Sequence, residues 1–303
     1  RHTRYPLVTG VQTCALPILP ETHGLVLLDK PAGWTSHDIV AKLRKILGER
    51  QIGHAGTLDP DATGLLVIGV GNGTRLMRFL GDMDKTYVCE IVFGTTTDTL
   101  DDSGTVTGTF DMGDMDVERA RKVIAERFTG DIMQVPPMVS ALKVDGKRLH
   151  QLAREGIEVE RKPRPVTVHS FTVEQAADRN VLSARIHCGS GTYVRSLGAD
   201  LGVALGGGAH IRALRRLTTG PFDVSGASTI ESPVLLPVER IVAHLNAHTL
   251  DAEGIDDTLY GRVRAAFDDD DPWAVFDESG NLVAVFERFR DTLAKPTVVF
   301  GGR

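Results

Sequence analysis

No stretch of this 303-residue chain approaches the ~20 consecutive apolar residues that a membrane helix requires. Membrane-spanning and membrane-anchored readings drop out, and a cytoplasmic protein is expected. Cysteine is scarce. The three thiols, Cys14, Cys89 and Cys188, are an odd number, far apart and without Cys-x-x-Cys spacing, so neither a disulfide framework nor a zinc site of that kind is expected. Buried free thiols fit better. A surplus of positive charge is also missing: 34 Lys and Arg stand against 40 Asp and Glu, a net charge of −6. The deficit is local, because residues 231–303 hold 14 of those acids and 7 of those bases, leaving 26 acids and 27 bases in residues 1–230. A near-neutral body can still present a basic groove, so charge neither supports nor excludes a polyanionic partner.

Several functional signatures are absent as well. Glycines 69, 71 and 73 lie between an apolar run and a helical pattern, but their spacing fits neither Gly-x-Gly-x-x-Gly nor the Lys-Ser/Thr phosphate loop, and they read as a connection. Gly189-Ser190-Gly191 after Cys188 lacks the spacing of a nucleophile elbow, and no His-Asp pair is marked to activate Ser190 or Cys188. The chain opens without Met, and residues 8–20 have neither the apolar core nor the cleavage site of a signal peptide. Residues 1–20, with a stretch at 11–18 that resembles translated sequencing adapter, are expected to be a non-native or disordered leader.

The most specified stretch is His54-Ala55-Gly56-Thr57-Leu58-Asp59-Pro60-Asp61-Ala62-Thr63-Gly64. A residue before proline is pushed out of the helical region, so Asp59 is expected on extended backbone, its carboxylate projecting from a stiff loop. Asp-Pro alone would read as a surface turn. Around it, Gly24–Lys30 is an apolar run fit for a buried strand that stops at Pro31. A helix follows, capped by Ser36 or Asp38, with Ile39, Val40, Leu43, Ile46 and Leu47 at helical spacing and Gly48 as its C-terminal cap. Residues 65–70 read as a strand and 75–80 as a short helix. Lys85-Thr86-Tyr87 opens another strand, Asp101-Asp102-Ser103-Gly104 is a hairpin signal, and 117–128 is an amphipathic helix.

The texture then changes. Residues 131–168 are cationic and proline-bounded, with Pro136-Pro137, Gly146-Lys147-Arg148 and Arg161-Lys162-Pro163-Arg164-Pro165, which suggests a binding loop. Residues 181–188 alternate like a strand and lead into Gly191-Thr192-Tyr193-Val194-Arg195 and a helix. Beyond Glu231 a short helix at 238–245 and strands at 273–276, 282–286 and 298–300 are expected, with Asp268 to Asp271 as a solvated loop.

The loop around Asp59 closely resembles the catalytic loop of the TruB family of tRNA pseudouridine synthases, in which the aspartate is the nucleophile. Lys30-Pro31 with Gly33 and Ser36 resembles the family's first motif, Lys85-Thr86-Tyr87 its tyrosine motif, Gly191-Thr192-Tyr193-Val194-Arg195 its arginine motif, and Ala209-His210-Ile211-Arg212-Ala213-Leu214-Arg215-Arg216-Leu217 the segment that closes its active site. These motifs span roughly residues 24–220 in the family's order. His150 departs from the pattern, which has tyrosine there.

The resemblance implies an α+β pseudouridine synthase fold, a mixed and largely antiparallel sheet flanked by helices, with a small C-terminal PUA-like β domain. It places the catalytic domain at 21–230, an RNA-gripping thumb at 131–168 and the acidic C-terminal domain at 231–303. The implied activity is isomerisation of uridine 55 in the tRNA T loop, by flipping the nucleotide into a pocket. Asp59, Tyr87 and Arg195 are the expected catalytic residues, and Lys30, His54, Tyr193 and Leu214 the expected substrate contacts. Whether Asp59 attacks C6 of uracil, attacks the ribose or removes a ribose proton stays open. Isomerisation needs no redox partner, and neither cofactor nor metal is expected. The expected partner is the T-arm stem-loop of tRNA, with no membrane, no obligatory protein partner and a monomeric chain. A guide-RNA-dependent synthase subunit and a non-catalytic RNA chaperone on the same scaffold are the alternatives.

Overall fold

The computed structural model describes residues 23–113, 115–140, 142–144, 147–149, 155, 157 and 159–300. The expected leader at 1–20, Cys14 and His150 lie outside the described residues. The strands of the first part are β1 (Gly24–Lys30), β2 (Ile52–Ala55), β3 (Thr63–Val70), β4 (Lys85–Phe93), β5 (Thr95–Thr97), β6 (Val106–Thr109), β7 (Gly130–Gln134), β8 (Lys143–Val144), β9 (Lys147–Arg148), β10 (Arg164–Gln175), β11 (Val181–Cys188), β12 (Ala209–Thr219) and β13 (Phe222–Asp223). The helices α1 (Ser36–Leu47), α2 (Val117–Arg127) and α3 (Val194–Ala204) lie between them.

The main sheet has nine strands in the order β1-β3-β12-β4-β11-β10-β7, with β2 added to β3 and β13 to β12. All its described pairings are antiparallel except β3 with β12. An α+β fold with a mixed, largely antiparallel sheet is what the sequence implied.

Strand β3 shows why its residues form a central strand. Gly-Leu-Leu-Val-Ile-Gly-Val is apolar almost without alternation, which suits burial on both faces. On one face Leu66 and Ile68 pack with Val26, Leu28 and the α1 residues Ile39, Val40 and Leu43. On the other, Leu65 and Val67 pack with Leu25, Leu27, Leu76, Met77 and Leu80. The second half of the sheet has its own core, where Tyr87, Ile91, Leu182 and Ile186 meet α2 through Ala120 and Ile124 and α3 through Leu197 and Leu201.

The expected elements recur with local differences. Thr35, rather than Ser36 or Asp38, caps α1: its hydroxyl accepts from Asp38 N at 3.0 Å and Asp38 accepts from Thr35 N at 3.0 Å. Ser36 is spent elsewhere, on the loop that carries Asp59. Residues 71–80 form one 3-10 helix that absorbs the glycines read as a connection. The Asp101 turn folds back β5 onto β6 rather than β4, since Gly94 at φ +92° bends the chain first. The cationic segment is anchored at both ends in the sheet, through the β10 and β7 pairs Arg164↔Gln134 to Val168↔Gly130.

The C-terminal part, with β14 (Asn246–Thr249), β15 (Arg264–Ala265), β16 (Trp273–Phe276), β17 (Leu282–Arg290), β18 (Leu293–Val299) and the helix α4 (Ala252–Leu259), forms a five-stranded sheet in the order β14-β16-β17-β18-β15. It does not stand apart. Ala274, Val285, Val298 and Phe300 belong to the same buried cluster as Leu65, Leu76 and Leu80. Arg78 of the 3-10 helix pairs with Glu287 and donates to Thr297 Oγ1 at 2.7 Å, and Arg75 donates to the Val299 carbonyl at 3.1 Å. Asp269, expected to be merely solvated, accepts from the indole of buried Trp273 at 2.6 Å and pairs with His248 at 3.0 Å. The expected helix at 238–245 is a single 3-10 turn, Val238–Ile241. Among the described residues no helix is long and apolar enough to cross a membrane.

Candidate active site

The loop between β2 and β3 sits where β12 joins the two halves of the sheet. Leu58 and Ala62 are buried and tie it into the core. Ser36 Oγ accepts from Leu58 N at 3.0 Å and donates to Leu58 O at 3.2 Å. Gly33 N donates to the Pro60 carbonyl at 3.0 Å, and Arg216 Nη2 donates to the Gly56 carbonyl at 3.0 Å. With both flanks pinned, Asp59 keeps a side chain 38% exposed at the head of the loop.

Arg195, the second residue of α3, reaches that carboxylate side-on. Its Nε lies 2.9 Å from Asp59 Oδ2 and its Nη2 donates to Oδ1 at 3.1 Å, a bidentate pair. Its other donors go to the carbonyls of Thr99 and Val139, both at 2.8 Å. Asp101 Oδ2 stands 3.7 Å from the same Nε. A buried guanidinium satisfied on all sides is rigid, so it fixes the carboxylate's orientation as well as its charge. The start of α3 is itself fixed, because Gln134 accepts from Tyr193 N at 2.8 Å and donates to Tyr193 O at 3.0 Å. Burial pushes the Asp59 carboxyl above the usual range, Arg195 pulls it down, and Asp101 adds to the upward push.

Asp59 and Arg195 share a cavity of about 300 Å³ with Tyr87, Tyr193, Leu214, Arg216, Lys85, Ser140 and Thr192. Five of the seven residues expected from sequence therefore line one space, within the range of small-ligand sites. Tyr87 is buried on β4, and its phenol is pushed up by burial while the Arg216 guanidinium pulls the other way. The Tyr193 phenol is raised by burial, with Ser140 and Arg195 pulling the other way. Both tyrosines therefore hold their protons near neutrality. Cys188, set aside as a nucleophile, is pushed up by burial to about 11, which leaves little thiolate.

Lys30 and His54 lie off the cavity wall. Lys30 is fully buried, and its ammonium donates to the carbonyls of Trp34 at 2.6 Å, Pro60 at 2.7 Å and Pro31 at 3.0 Å. It clamps the backbone immediately after Asp59. Burial lowers its pKa to about 8, against the pull of Asp61 and Asp59. His54 lies on β2, edge-on to His37 with ring centroids 5.7 Å apart, and burial holds its pKa down at about 4. The ring is thus a neutral, largely buried body at the base of the loop.

Arg216 and Asp101 also stand at the site, and neither was singled out from the sequence. Arg216 is buried, its Nε donates to Leu65 O at 2.7 Å and its Nη2 to Gly56 O, and it lines the cavity together with Tyr87. Its signal was an arginine inside a strand pattern, a costly placement unless its donors are satisfied. Asp101 was hidden inside a run that reads as turn chemistry. Among the described residues, no trio of metal-ligating side chains lies on this cavity.

A family profile described as "TruB family pseudouridylate synthase (N terminal domain)" matches residues 44–194, and one described as "tRNA pseudouridylate synthase B C-terminal domain" matches residues 195–235. The tRNA pseudouridine synthase B of Thermobifida fusca is 42% identical over 293 residues, covering 92% of this chain and 99% of its own. That of Streptomyces coelicolor is 42% identical over 294 residues, covering 92% and 97%. Among solved structures, a Cbf5-Nop10-Gar1 complex contains a chain that is 26% identical with a TM-score of 0.69, covering 92% of this chain and 85% of its own. A chain in an H/ACA RNP bound to a substrate RNA has a TM-score of 0.68 at 24% identity, again covering 92% and 85%, a likeness of fold.

Proposed function

The chain belongs to the TruB family of pseudouridylate synthases, and from that premise we propose that Asp59, gripped by Arg195, begins the isomerisation of uridine 55 in the T loop of tRNA. The protein isomerises uridine to pseudouridine in tRNA. The reaction breaks the bond from uracil N1 to the ribose C1′ and joins C5 to the same carbon, while the C5 proton leaves and N1 gains one. Attack at C6, attack at C1′ and removal of a ribose proton all require a carboxylate that is ionised, oriented and beside the glycosidic bond. The bidentate Asp59–Arg195 pair at the wall of a nucleotide-sized cavity is the observation that carries this reading.

The target base must leave its stack to reach Asp59. Tyr87 and Leu214 offer an aromatic and an aliphatic face to hold the uracil, and the protonated Tyr87 phenol on the cavity wall supports a role in proton transfer at the ring. Tyr193 closes the wall. The segment 131–168 grips the T-arm stem from strands β7 and β10, residues 21–230 act as the catalytic domain, and residues 231–303 form a PUA-like unit fused to it through their shared core. The protein works in the cytoplasm as a monomer, without a partner protein.

The likeness to Cbf5 favours one second reading, a synthase subunit directed by guide RNA. The deciding experiment measures tritium release from C5-labelled uridine in a T-arm hairpin, using the purified chain alone and its Asp59→Asn form. Release by the wild type only supports the stand-alone enzyme and the role of Asp59. Retained RNA binding with no release from either protein overturns that reading in favour of guide dependence.

A further inference from the structure

Outside the cavity, His169, His187 and Asp84 converge on the outer side of the main sheet, where isomerisation makes no use of them. Regular pairing does not bring them together. Strand β10 pairs with β11 as Val168↔Cys188 and then Ser170↔His187, so His169 is the extra residue of a bulge. The bulge brings its ring to 4.8 Å from that of His187, tilted by 41° rather than stacked. Asp84 stands in the turn immediately before β4, whose opening pairs are Lys85↔Cys188 and Thr86↔His187. That turn is held by Gly220 N donating to the Asp84 carbonyl at 2.9 Å.

One potential ligand atom from each of the three side chains lies within 4.8 Å of the other two. Asp84 Oδ2 is 3.1 Å from His169 Nε2 and 3.8 Å from His187 Nε2. Ligands at the usual metal–nitrogen and metal–oxygen lengths around a tetrahedral ion stand about 3.3 Å apart, and the two measured separations bracket that value. Two imidazoles and one carboxylate suit zinc-class ions, whereas calcium and magnesium take oxygen ligands. All three side chains are partly exposed, so an ion can enter and keep water in its remaining position. Among the described residues this is the one group of three His, Cys, Asp or Glu side chains that converges so closely.

We propose that Asp84, His169 and His187 bind one divalent transition-metal ion of the zinc class. The ion replaces the Asp–His contacts and ties the turn before β4 to β10 and β11. Lys85 and Gly189, which flank these elements, line the nucleotide cavity, so the ion stiffens its rim. The site is independent of the isomerisation chemistry and stands or falls without it.

The test uses the full chain, stripped with chelator and then titrated near neutral pH with Zn²⁺ by calorimetry and with Co²⁺ by visible absorption. His187→Gln, His169→Ala and Asp84→Asn proteins are compared, with far-UV circular dichroism and the metal-free melting temperature showing that each is folded. One saturable equivalent in the wild type, a cobalt d–d band, a Zn²⁺-dependent rise in melting temperature, and affinity lower by about tenfold or more in every variant are expected. Absence of saturable binding by the wild type overturns the proposal. So does binding that the variants leave unchanged, because the ion then sits elsewhere.

Discussion

A Cβ placed on Gly64 would stand 2.2 Å from the carbonyl oxygen of Arg216. The two residues are partners in the parallel junction of β3 and β12, and Gly64 has φ +99°, a region that side chains avoid. Gly64→Ala therefore meets both a steric and a conformational penalty at the seam under Asp59. A loss of about 2–4 kcal/mol is expected, read as a lower urea midpoint at unchanged slope. A loss under about 0.5 kcal/mol, the size of a bland surface change, would show that the junction is open.

Arg195→Lys keeps the positive charge but loses the paired donors that face Asp59. The turnover number is expected to fall about 10²–10³-fold with little change in KM, as when a donor aimed at the reacting group is removed. Arg195 is also the largest influence pulling the Asp59 pKa down. Weakening it raises that pKa further, and since the carboxylate is the active form, activity is lost at a higher pH as the solution is acidified. A pH–rate profile in which the acid limb of the variant does not move upward would contradict this assignment.

Much of the site was legible because it is local. The glycine and proline around Asp59 dictate a stiff loop from short-range sterics, and Gly-Thr-Tyr-Val-Arg leads into a helix whose second residue is Arg195. What was hidden depends on residues far apart in sequence. Nothing near Lys30 reveals that its ammonium ends on the Pro60 carbonyl, and nothing near Arg216 reveals Tyr87 and Gly56 as its neighbours. Asp269 misled for the same reason: a run of four acids reads as solvated until Trp273 and His248 fold back onto it. The cap of α1 was missed by one residue, since Thr35, Ser36 and Asp38 are all good candidates and only Ser36's engagement with Leu58 breaks the tie.

Lys30 predicts a dependence of stability on pH. Its folded pKa of about 8 lies below its ordinary 10.5 because burial disfavours the ammonium. The unfolded chain therefore binds more protons between these values, and the wild type gains stability as pH rises from about 8 towards 10.5. Lys30→Met lacks that gain. The stability difference between the two proteins is expected to shift in favour of the wild type across this window, by at most about 3 kcal/mol. A difference that stays flat with pH would mean that Lys30 titrates as if exposed.

Leu76→Ala tests whether the C-terminal sheet is a separate body. Leu76 is fully buried in a cluster that takes Leu65 and Val67 from the main sheet and Val285 and Val298 from the C-terminal one. Truncating it removes packing from both, at a cost of about 2–5 kcal/mol. Arg78→Ala, which removes an exposed ion pair with Glu287 across the same junction, should cost under about 1 kcal/mol. A shared apolar core, not charge, then joins the two parts. The wild type and both variants should unfold in one cooperative calorimetric transition, lowered strongly by Leu76→Ala and slightly by Arg78→Ala. Two resolved transitions, with only one shifted by Leu76→Ala, would instead describe an acidic module that is tethered rather than fused.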